Sequence, residues 1–399
     1  MKEYILDNGI KLIYIKGTSD LTSISIALNA GAAQDGEILG VAHAVEHMIY
    51  KGTENRTEAE INELSSKIFG FTNAMTNYPY VVFYGTSLKE DFEKGVELFS
   101  DILINPVFSI EGFNEEMDVI KQELKEWDEE LDQFCEDKLL FNSQNNRLKY
   151  PIIGTAEDLN KIKLEDLKDF YKRYYSPKNM TIAISSSFQA EEVIRIVNKY
   201  FKNMKCENDV ILHEECYKDI NFGVFKDRRD GVKSSRVQIN FDISDLSEKE
   251  IKALRIFNEY FGEGVNSLLF DKLRTKSGLV YDVLTTISYE SYIKLYKIMF
   301  TTSKDKVKEA LKEVDKSIDE IKILSDSKIE ELIKSIRIKK LFKEEQSIRY
   351  TNLVATYGVM FKDAMAYDKA YRDFNDITGK FIYDTAKKVL DKKYIEIIS

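Results

Sequence analysis

Two short passages recur about 215 residues apart, and this repeat constrains the fold of the 399-residue chain more than any other feature. The first passage, FYGTS, ends at Ser87 and precedes an amphipathic helix pattern over 89–102. Its counterpart, MFTTS, ends at Ser303 and precedes another such pattern over 306–323. Each half also ends with a helix followed by a strand. The repeat predicts two similar α/β halves, joined near 205–217.

Composition excludes several classes of protein. The chain has 58 Lys and Arg against 68 Asp and Glu, and a net charge of -10 disfavours nucleic-acid binding. No apolar run approaches the roughly 18 residues that span a bilayer, and the first residues lack a signal-peptide core. Three cysteines form no CxxC pair, so we interpret Cys135, Cys206 and Cys216 as structural thiols in a reducing compartment. We therefore expect a cytoplasmic protein without a membrane partner.

Two of the three histidines fall in one short motif, HAVEH, which begins at His43. The motif lies in a helix predicted over 39–50. Residues four apart lie one turn apart on a helix, so His43 and His47 can bind a single tetrahedral metal ion, normally zinc. Glu46 lies beside them and can accept a proton from a water molecule without binding the metal. The alternative, two surface histidines beside a glutamate, is a rare coincidence in a chain with three histidines.

A catalytic zinc ion needs a third protein ligand and an open coordination position. The remaining histidine, His213, lies in the joining segment, so a carboxylate is the better candidate. A helix predicted over 110–131 carries Glu116 and Glu123 nearly two turns apart along the border of its apolar stripe, whereas Glu126 points toward solvent. Periodicity alone leaves the choice of ligand open, because a solvated helix face also explains single glutamates.

Six longer stretches extend the pattern beyond the motif. They are LDNGIKLIYI, LNAGAAQDGEILGVAHAVEHMIYKGT, DVIKQELKEW, YPIIGTAEDLNKI, LEDLKDFYKRYYSPKNMTIAIS and FGEGVNSLLFDKLRTKSGLVYDV. Together they resemble the inverted-motif zinc peptidases of the pitrilysin, insulinase and mitochondrial processing peptidase group. The resemblance covers nearly the whole chain, whose length is similar to one subunit of the short, two-domain branch.

The resemblance implies a specific set of residues around the zinc ion. Zn2+ would be bound by His43, His47 and Glu123, and Glu46 would act as the catalytic base. Glu116 matches the family's nearby supporting acid, which orients ligands or water.

The resemblance also implies residues that bind the peptide substrate. Arg274 and Tyr281 match residues that bind the substrate and stabilise charge on the scissile carbonyl. Asn73 and Ala74 match the edge strand that pairs with the substrate backbone.

The same resemblance implies an α+β fold of two homologous α/β domains, each with a mostly antiparallel sheet packed with helices. We expect a zinc-binding domain at 1–204, a linker at 205–217 and a homologous domain at 218–399. One chain would supply half of a clamshell chamber, so we expect a homodimer, or a heterodimer with a related subunit. Departures from the family pattern, a missing threonine pattern over 75–84 and a missing His-Pro over 141–150, bear on substrate pockets more than on the zinc site.

Three functional hypotheses follow. The first is a zinc metalloendopeptidase that hydrolyses short or unfolded peptides in an enclosed chamber. The second is a structural or peptide-holding subunit without catalytic activity, since the family includes members that have lost the zinc motif. The third is the catalytic half of a heterodimeric peptide-processing protease. The complete motif favours the first hypothesis, and Arg274 with Tyr281 favours a self-sufficient chain.

Overall fold

The computed structural model describes residues 1–127, 129–205, 210, 212 and 220–399. The strands are β1 (Lys2–Ile5), β2 (Lys11–Lys16), β3 (Leu21–Leu28), β4 (Phe69–Thr76), β5 (Val81–Leu88), β6 (Met180–Ser186), β7 (Val224–Asp227), β8 (Ser235–Asp242), β9 (Val280–Tyr289), β10 (Lys294–Thr302) and β11 (Tyr394–Ile398). The helices are α1 (Val41–Met48), α2 (Glu58–Ile68), α3 (Phe92–Ile104), α4 (Ile110–Trp127), α5 (Leu131–Ser143), α6 (Ala156–Leu159), α7 (Leu164–Tyr174), α8 (Ala190–Phe201), α9 (Glu248–Phe261), α10 (Leu268–Phe270), α11 (Val307–Asp319), α12 (Asp326–Glu345), α13 (Ser347–Phe361), α14 (Ala366–Ala370) and α15 (Gly379–Val389).

The first compact unit is built on a six-stranded sheet in the order β1-β2-β6-β3-β5-β4. Its neighbouring strands pair antiparallel except for β2 and β6, which are parallel. The central strands β3 and β6 are buried along almost their whole length. A strand covered on both faces has no polar face to expose, which explains their unbroken runs of apolar and small residues.

The second compact unit repeats this plan with five strands in the order β7-β11-β8-β10-β9. Here β7 and β11 form the parallel pair, and the other neighbours are antiparallel. The predicted repeat is confirmed, because β5 and β10 occupy equivalent sheet positions, as do β6 and β11. The predicted α+β fold with two similar, mostly antiparallel sheets is confirmed as well.

The two units are not continuous in sequence. The first contains residues 1–125, the described part of 151–214, and 342–367, and the second contains the remaining described residues. Helix α13 packs on β3 and β6 in the first unit, and α5 packs on β11 and β8 in the second. The domain boundaries predicted from sequence, 1–204 and 218–399, differ from this division because each unit includes one helix from the other half of the chain.

The helix α13 lies close to the sheet of the first unit because small and hydroxyl-bearing residues line the contact. The Ser25 hydroxyl donates to the Thr351 hydroxyl at 2.9 Å, and Gly358 has no side chain between the helix and Thr181. A Cβ atom at Gly358 would lie 3.1 Å from the Thr181 side chain. The buried hydroxyls satisfy each other, so this face of the sheet needs no apolar residues.

Three predicted element bounds differ from the structure. The helix predicted over 39–50 spans Val41–Met48, because Gly40 has left-handed backbone and the chain turns after Met48. The helix predicted over 110–131 ends at Trp127, and Leu131 begins a separate helix after Glu130, whose backbone is extended. The apolar run over 23–29 predicts a strand, and in the structure this strand, β3, begins earlier, at Leu21. Thr57 followed three residues later by Glu60 predicts a capping box at a helix start, and the structure confirms it at the start of α2.

None of the helices among the described residues is long and apolar enough to cross a lipid bilayer. Cys135 is a buried free thiol on α5, and burial raises its pKa, which disfavours the reactive thiolate. The other two cysteines, Cys206 and Cys216, lie outside the described residues.

Candidate metal centre

The helix α1 carries the HAVEH motif and begins at a tightly constrained turn. Gly40, directly before the helix, has a φ angle of 88°, and a Cβ atom there would lie 2.4 Å from the Ile153 carbonyl oxygen. The Asp35 carboxylate accepts hydrogen bonds of 2.8 Å from the backbone N–H groups of Gly40 and Ala42. These bonds satisfy two of the free donors at the helix start and stabilise the helix dipole.

Three side chains from α1 and α4 converge beside this turn. The potential ligand atoms of His43, His47 and Glu123 all lie within 4.8 Å of one another. Glu123 Oε2 lies 3.8 Å from His43 Nε2 and 3.6 Å from His47 Nε2. Both distances are too long for hydrogen bonds. Two ligands of one tetrahedral zinc ion, each about 2.0–2.1 Å from it, lie about 3.3–3.4 Å apart, so the observed spacing fits a shared ion.

Glu116 on α4 orients the second imidazole. Its Oε2 lies 2.9 Å from His47 Nδ1. A carboxylate accepts hydrogen bonds, so Nδ1 carries the proton and Nε2 keeps its lone pair toward the ligand cluster. The His47 hydrogen bond keeps the pKa of Glu116 below its usual range. Lys51 Nζ, 3.4 Å from Glu116 Oε1, adds a positive charge on the other side of the carboxylate.

The electrostatics of the two histidines differ. Burial lowers the pKa of His43 to about 3, and the nearby His47 adds to the shift. Burial also opposes charge on His47, but the Glu116 hydrogen bond and the surrounding carboxylates outweigh it and raise its pKa. A neutral His43 has an available ring lone pair at neutral pH, as metal binding requires.

Glu46 lies between the two histidines in sequence, and its carboxyl group is held from another element. The Thr76 hydroxyl at the end of β4 donates to Glu46 Oε2 at 2.9 Å. Burial raises the pKa of Glu46, against the opposing effects of the His47 charge and the Thr76 hydrogen bond. A carboxylate with a raised pKa is a better proton acceptor than an exposed one. The carboxyl group of Glu46 is not part of the ligand cluster.

The donor set fits a zinc ion of the catalytic type. Two imidazoles and one carboxylate leave the fourth tetrahedral position open, and Glu116 supports one imidazole from behind. The predicted border positions of α4 are therefore brought together with the histidines, Glu116 behind His47 and Glu123 beside both rings. Glu126, one turn further along, is exposed as expected.

The residues predicted to bind substrate lie on three elements, β4, a π-helical segment and β9. Asn73 and Ala74 lie on β4, which is an edge strand of its sheet. The Asn73 side chain accepts a 2.9 Å hydrogen bond from the Ala74 backbone N–H. Arg274 lies in a π-helical segment, Asp271–Lys276, and its guanidinium carbon is 5.0 Å from the ring centre of Tyr281. Tyr281 is 80% exposed, so both side chains are accessible to a ligand.

Sequence reasoning passed over two side chains that hold the centre, Thr76 and Lys51. The hydroxyl of Thr76 contacts Glu46, although its segment was assigned to substrate pockets. Lys51 Nζ forms ion pairs with Glu58 at 2.7 Å and Glu115 at 3.0 Å besides its contact with Glu116. Lys51 lies beyond the end of α1 and its partners belong to α2 and α4, so no local sequence signal marks it. His213 lies outside the described residues.

Comparison with known proteins identifies the family. Residues 12–156 match the family described as Insulinase (Peptidase family M16), and residues 161–336 match the Peptidase M16 inactive domain. The chain belongs to peptidase family M16. The predicted resemblance to the pitrilysin and insulinase group, short two-domain branch, is thereby confirmed.

Individual relatives agree with this placement in family M16. An uncharacterized zinc protease of Bacillus subtilis is 25% identical over 288 residues, which are 71% of this chain and 69% of that protein. One from Rickettsia felis is 23% identical over 391 residues, 96% of this chain and 93% of that protein. The crystal structure of a protease from Helicobacter pylori has a TM-score of 0.89 at 18% identity, covering 100% of this chain and 99% of that one, and it shows the shared fold.

Proposed function

We propose that this M16 family chain is a zinc metalloendopeptidase that hydrolyses short or unfolded peptides. The observation that carries the proposal is the convergence of the His43, His47 and Glu123 ligand atoms within 4.8 Å, next to the buried Glu46 carboxyl group. A structural zinc site has four protein ligands, whereas three ligands beside a general base are typical of a hydrolytic site.

Zn2+ would be held by His43 Nε2, His47 Nε2 and Glu123, and when bound it supplies Lewis acidity toward a carbonyl oxygen and a water molecule. Glu46 accepts the proton of the attacking water and donates it to the leaving amine of the cleaved peptide bond. Glu116 keeps the proton of His47 on Nδ1, so that Nε2 stays available. The hydrolysis consumes one water molecule, which supplies the hydroxyl of the new carboxyl group and the proton of the new amine.

Substrate binding is assigned to two surfaces. The edge strand β4 offers the backbone of Asn73 and Ala74 to an extended peptide, which would add a strand to the sheet. Arg274 and Tyr281 supply guanidinium and phenol donors, which suit the negative charge that develops on the scissile carbonyl oxygen. Extended backbone pairing requires an unfolded substrate segment, and this requirement favours short or unfolded peptides over folded proteins.

The proposal includes a cytoplasmic homodimer in which two chains build the chamber, with a heterodimer of related subunits as the alternative. The mass of the purified chain in solution, measured by analytical ultracentrifugation, separates the cases. A dimer of about twice the 46.3 kDa chain mass supports the homodimer. A stable monomer that gains peptidase activity only with a second protein supports the heterodimer.

Digestion of a mixed peptide library by the purified, zinc-loaded chain, followed by mass spectrometry, tests the activity. Internal cleavages that disappear on chelation and return on adding zinc support a zinc endopeptidase. Peptide binding without cleavage by a zinc-loaded dimer would contradict the proposal and support a peptide-holding subunit. Cleavage that persists after complete zinc removal would assign the activity to other groups.

A further inference from the structure

Thr76 links the Glu46 carboxyl group to the edge strand β4, two parts of the candidate site that lie on separate segments of the sequence. It is the last residue of β4, 7% exposed, and its hydroxyl hydrogen-bonds Glu46 Oε2 at 2.9 Å. The carboxyl torsion of a glutamate is broad, so a buried glutamate without a fixed donor samples several orientations. In a buried site such a bond is stronger than in water. A single threonine therefore restricts the orientation of the group that must accept the proton.

The same threonine follows the exposed edge of β4. The Ala74 backbone N–H bonds to the Asn73 side chain, so it points away from the neighbouring strand β5. Alternate residues of a strand share a face and a hydrogen-bonding direction, so Ala74 and Thr76 have the same orientation. They lie about 7 Å apart along the strand, since each residue adds about 3.3 Å. A peptide paired at Ala74 therefore lies one strand repeat from the donor of Glu46.

We propose that Thr76 is a positioning residue that fixes the catalytic base relative to the edge strand. Its hydroxyl holds Glu46 Oε2, and its backbone N–H adds a second interaction with the same carboxyl group. This inference rests on the proposed peptidase function. Thr76 is also the last residue of the strand that pairs with substrate. The position of the Glu46 carboxyl group is therefore fixed relative to the peptide backbone. A misplacement of about 1 Å in such a group costs roughly 100-fold in rate.

Two substitutions at position 76 separate the hydroxyl from the shape of the side chain. Thr76→Val keeps the β-branched shape and removes the hydroxyl donor, whereas Thr76→Ser keeps the hydroxyl. Both variants keep the backbone N–H that also interacts with Glu46. We expect Thr76→Val to lower kcat by about 10- to 100-fold with KM within about twofold, because proton transfer rather than binding is impaired. Thr76→Ser should restore most of kcat. Zinc content should match the unsubstituted chain in both.

Thr53→Val is the matched control. Thr53 is equally buried and donates at 2.7 Å to the Asp101 carboxylate, a pair outside the candidate site. Its substitution removes a donated hydrogen bond of the same kind, together with two bonds that its oxygen accepts from the backbone N–H groups of Asn55 and Arg56. It should therefore lower the unfolding temperature without changing kcat. If Thr76→Val behaved like Thr53→Val, with a lower unfolding temperature and an unchanged kcat, the inference would be overturned.

A spectroscopic measurement tests the contact without activity. In protein with 13C-labelled glutamate carboxyl groups, the Glu46 resonance is assigned by its loss in Glu46→Gln. We expect it to move in Thr76→Val and to stay in place in Thr76→Ser. Equal kcat in Thr76→Val and the unsubstituted chain overturns the positioning role while the peptidase function stands. If the unsubstituted chain cleaves no peptide, the proposed function fails and the catalytic role of Thr76 with it, even if the resonance moves.

Discussion

His47 Nδ1 lies 2.9 Å from Glu116 Oε2, and this contact decides which nitrogen of the ring faces the ligand cluster. The proton stays on Nδ1, and His47 Nε2 lies 3.6 Å from Glu123 Oε2. One carboxylate of α4 thus orients the imidazole and another, seven residues later, lies beside its available nitrogen. A single helix supplies both groups because seven residues are almost two turns.

Substitution of Glu116 should weaken zinc binding without removing a ligand. Glu116→Ala loses both the acceptor and the charge, so we expect a 10- to 100-fold lower zinc affinity, as for other partners of metal-bound histidines. Glu116→Gln keeps an acceptor oxygen, so its zinc affinity should lie between that of Glu116→Ala and that of the unsubstituted chain. Competition with a chromogenic chelator measures the affinities. Asp118→Asn, an exposed position on the same helix, is the control, and an effect there as large as at Glu116 would remove the assigned role.

The third ligand is tested by zinc stoichiometry. Glu123→Gln replaces a charged oxygen ligand by a neutral amide, so we expect bound zinc to fall well below one per chain after dialysis against a weak chelator. Glu126→Gln alters an exposed glutamate of the same helix and should keep full zinc. Mass spectrometry of the bound metal measures the number of zinc ions per chain. One bound zinc ion per chain in Glu123→Gln would show that another residue is the third ligand.

The turn before α1 should be intolerant of a side chain. Gly40→Ala places a Cβ atom 2.4 Å from the Ile153 carbonyl oxygen at a φ angle of 88°. We expect the free energy of unfolding of the first unit to fall by about 2 kcal/mol or more. Gly36→Ala, with nothing within 4 Å of the added atom, is the matched control and should be near neutral. Urea unfolding measures both, and equal midpoints would contradict the strained turn.

A buried acid in the second unit predicts a pH effect on stability. Burial raises the pKa of Glu290 to about 7, and its buried Oε2 has no hydrogen-bond partner among the described residues. A folded pKa above the unfolded value stabilises the protein fully at low pH, and this contribution is lost as pH rises through about 7. The loss is at most about 3 kcal/mol.

Glu290→Gln should therefore unfold at a higher urea concentration than the unsubstituted chain at pH 8, with only a small difference at pH 4.5. Glu309→Gln, at an exposed position, should show no such pH-dependent difference. A constant gap between Glu290→Gln and the unsubstituted chain at both pH values would mean that the carboxyl group titrates normally in the folded state.

Much of the fold could be predicted from sequence because its signals are local or repeated. The passages that end at Ser87 and Ser303 mark equivalent strands, and the spacing of His43 and His47 fixes their common helix face. The packing of α13 on the first sheet could not be predicted, since it depends on contacts such as Ser25 with Thr351, more than 300 residues apart along the chain. No periodicity in a sequence records such a pair.

The candidate site, like the fold, could be predicted from the sequence only in part. Glu116 and Glu123 were marked by helix periodicity, but their separate roles depend on where α4 lies against α1, a tertiary relationship. The bond from Thr76 to Glu46 joins a strand end to a helix 30 residues earlier, and neither residue carries a local signal for it.

The most direct test of the peptidase assignment compares the unsubstituted chain with Glu46→Gln. Gln has the same shape but accepts no proton, so zinc content should stay unchanged while cleavage of the peptide library falls by at least about 100-fold. Mass spectrometry of the products and of bound metal, on the same samples, gives both values. Internal cleavages from the unsubstituted chain alone, with equal zinc in both proteins, are the predicted result. Equal cleavage by the two proteins would contradict the assignment of Glu46 as the catalytic base.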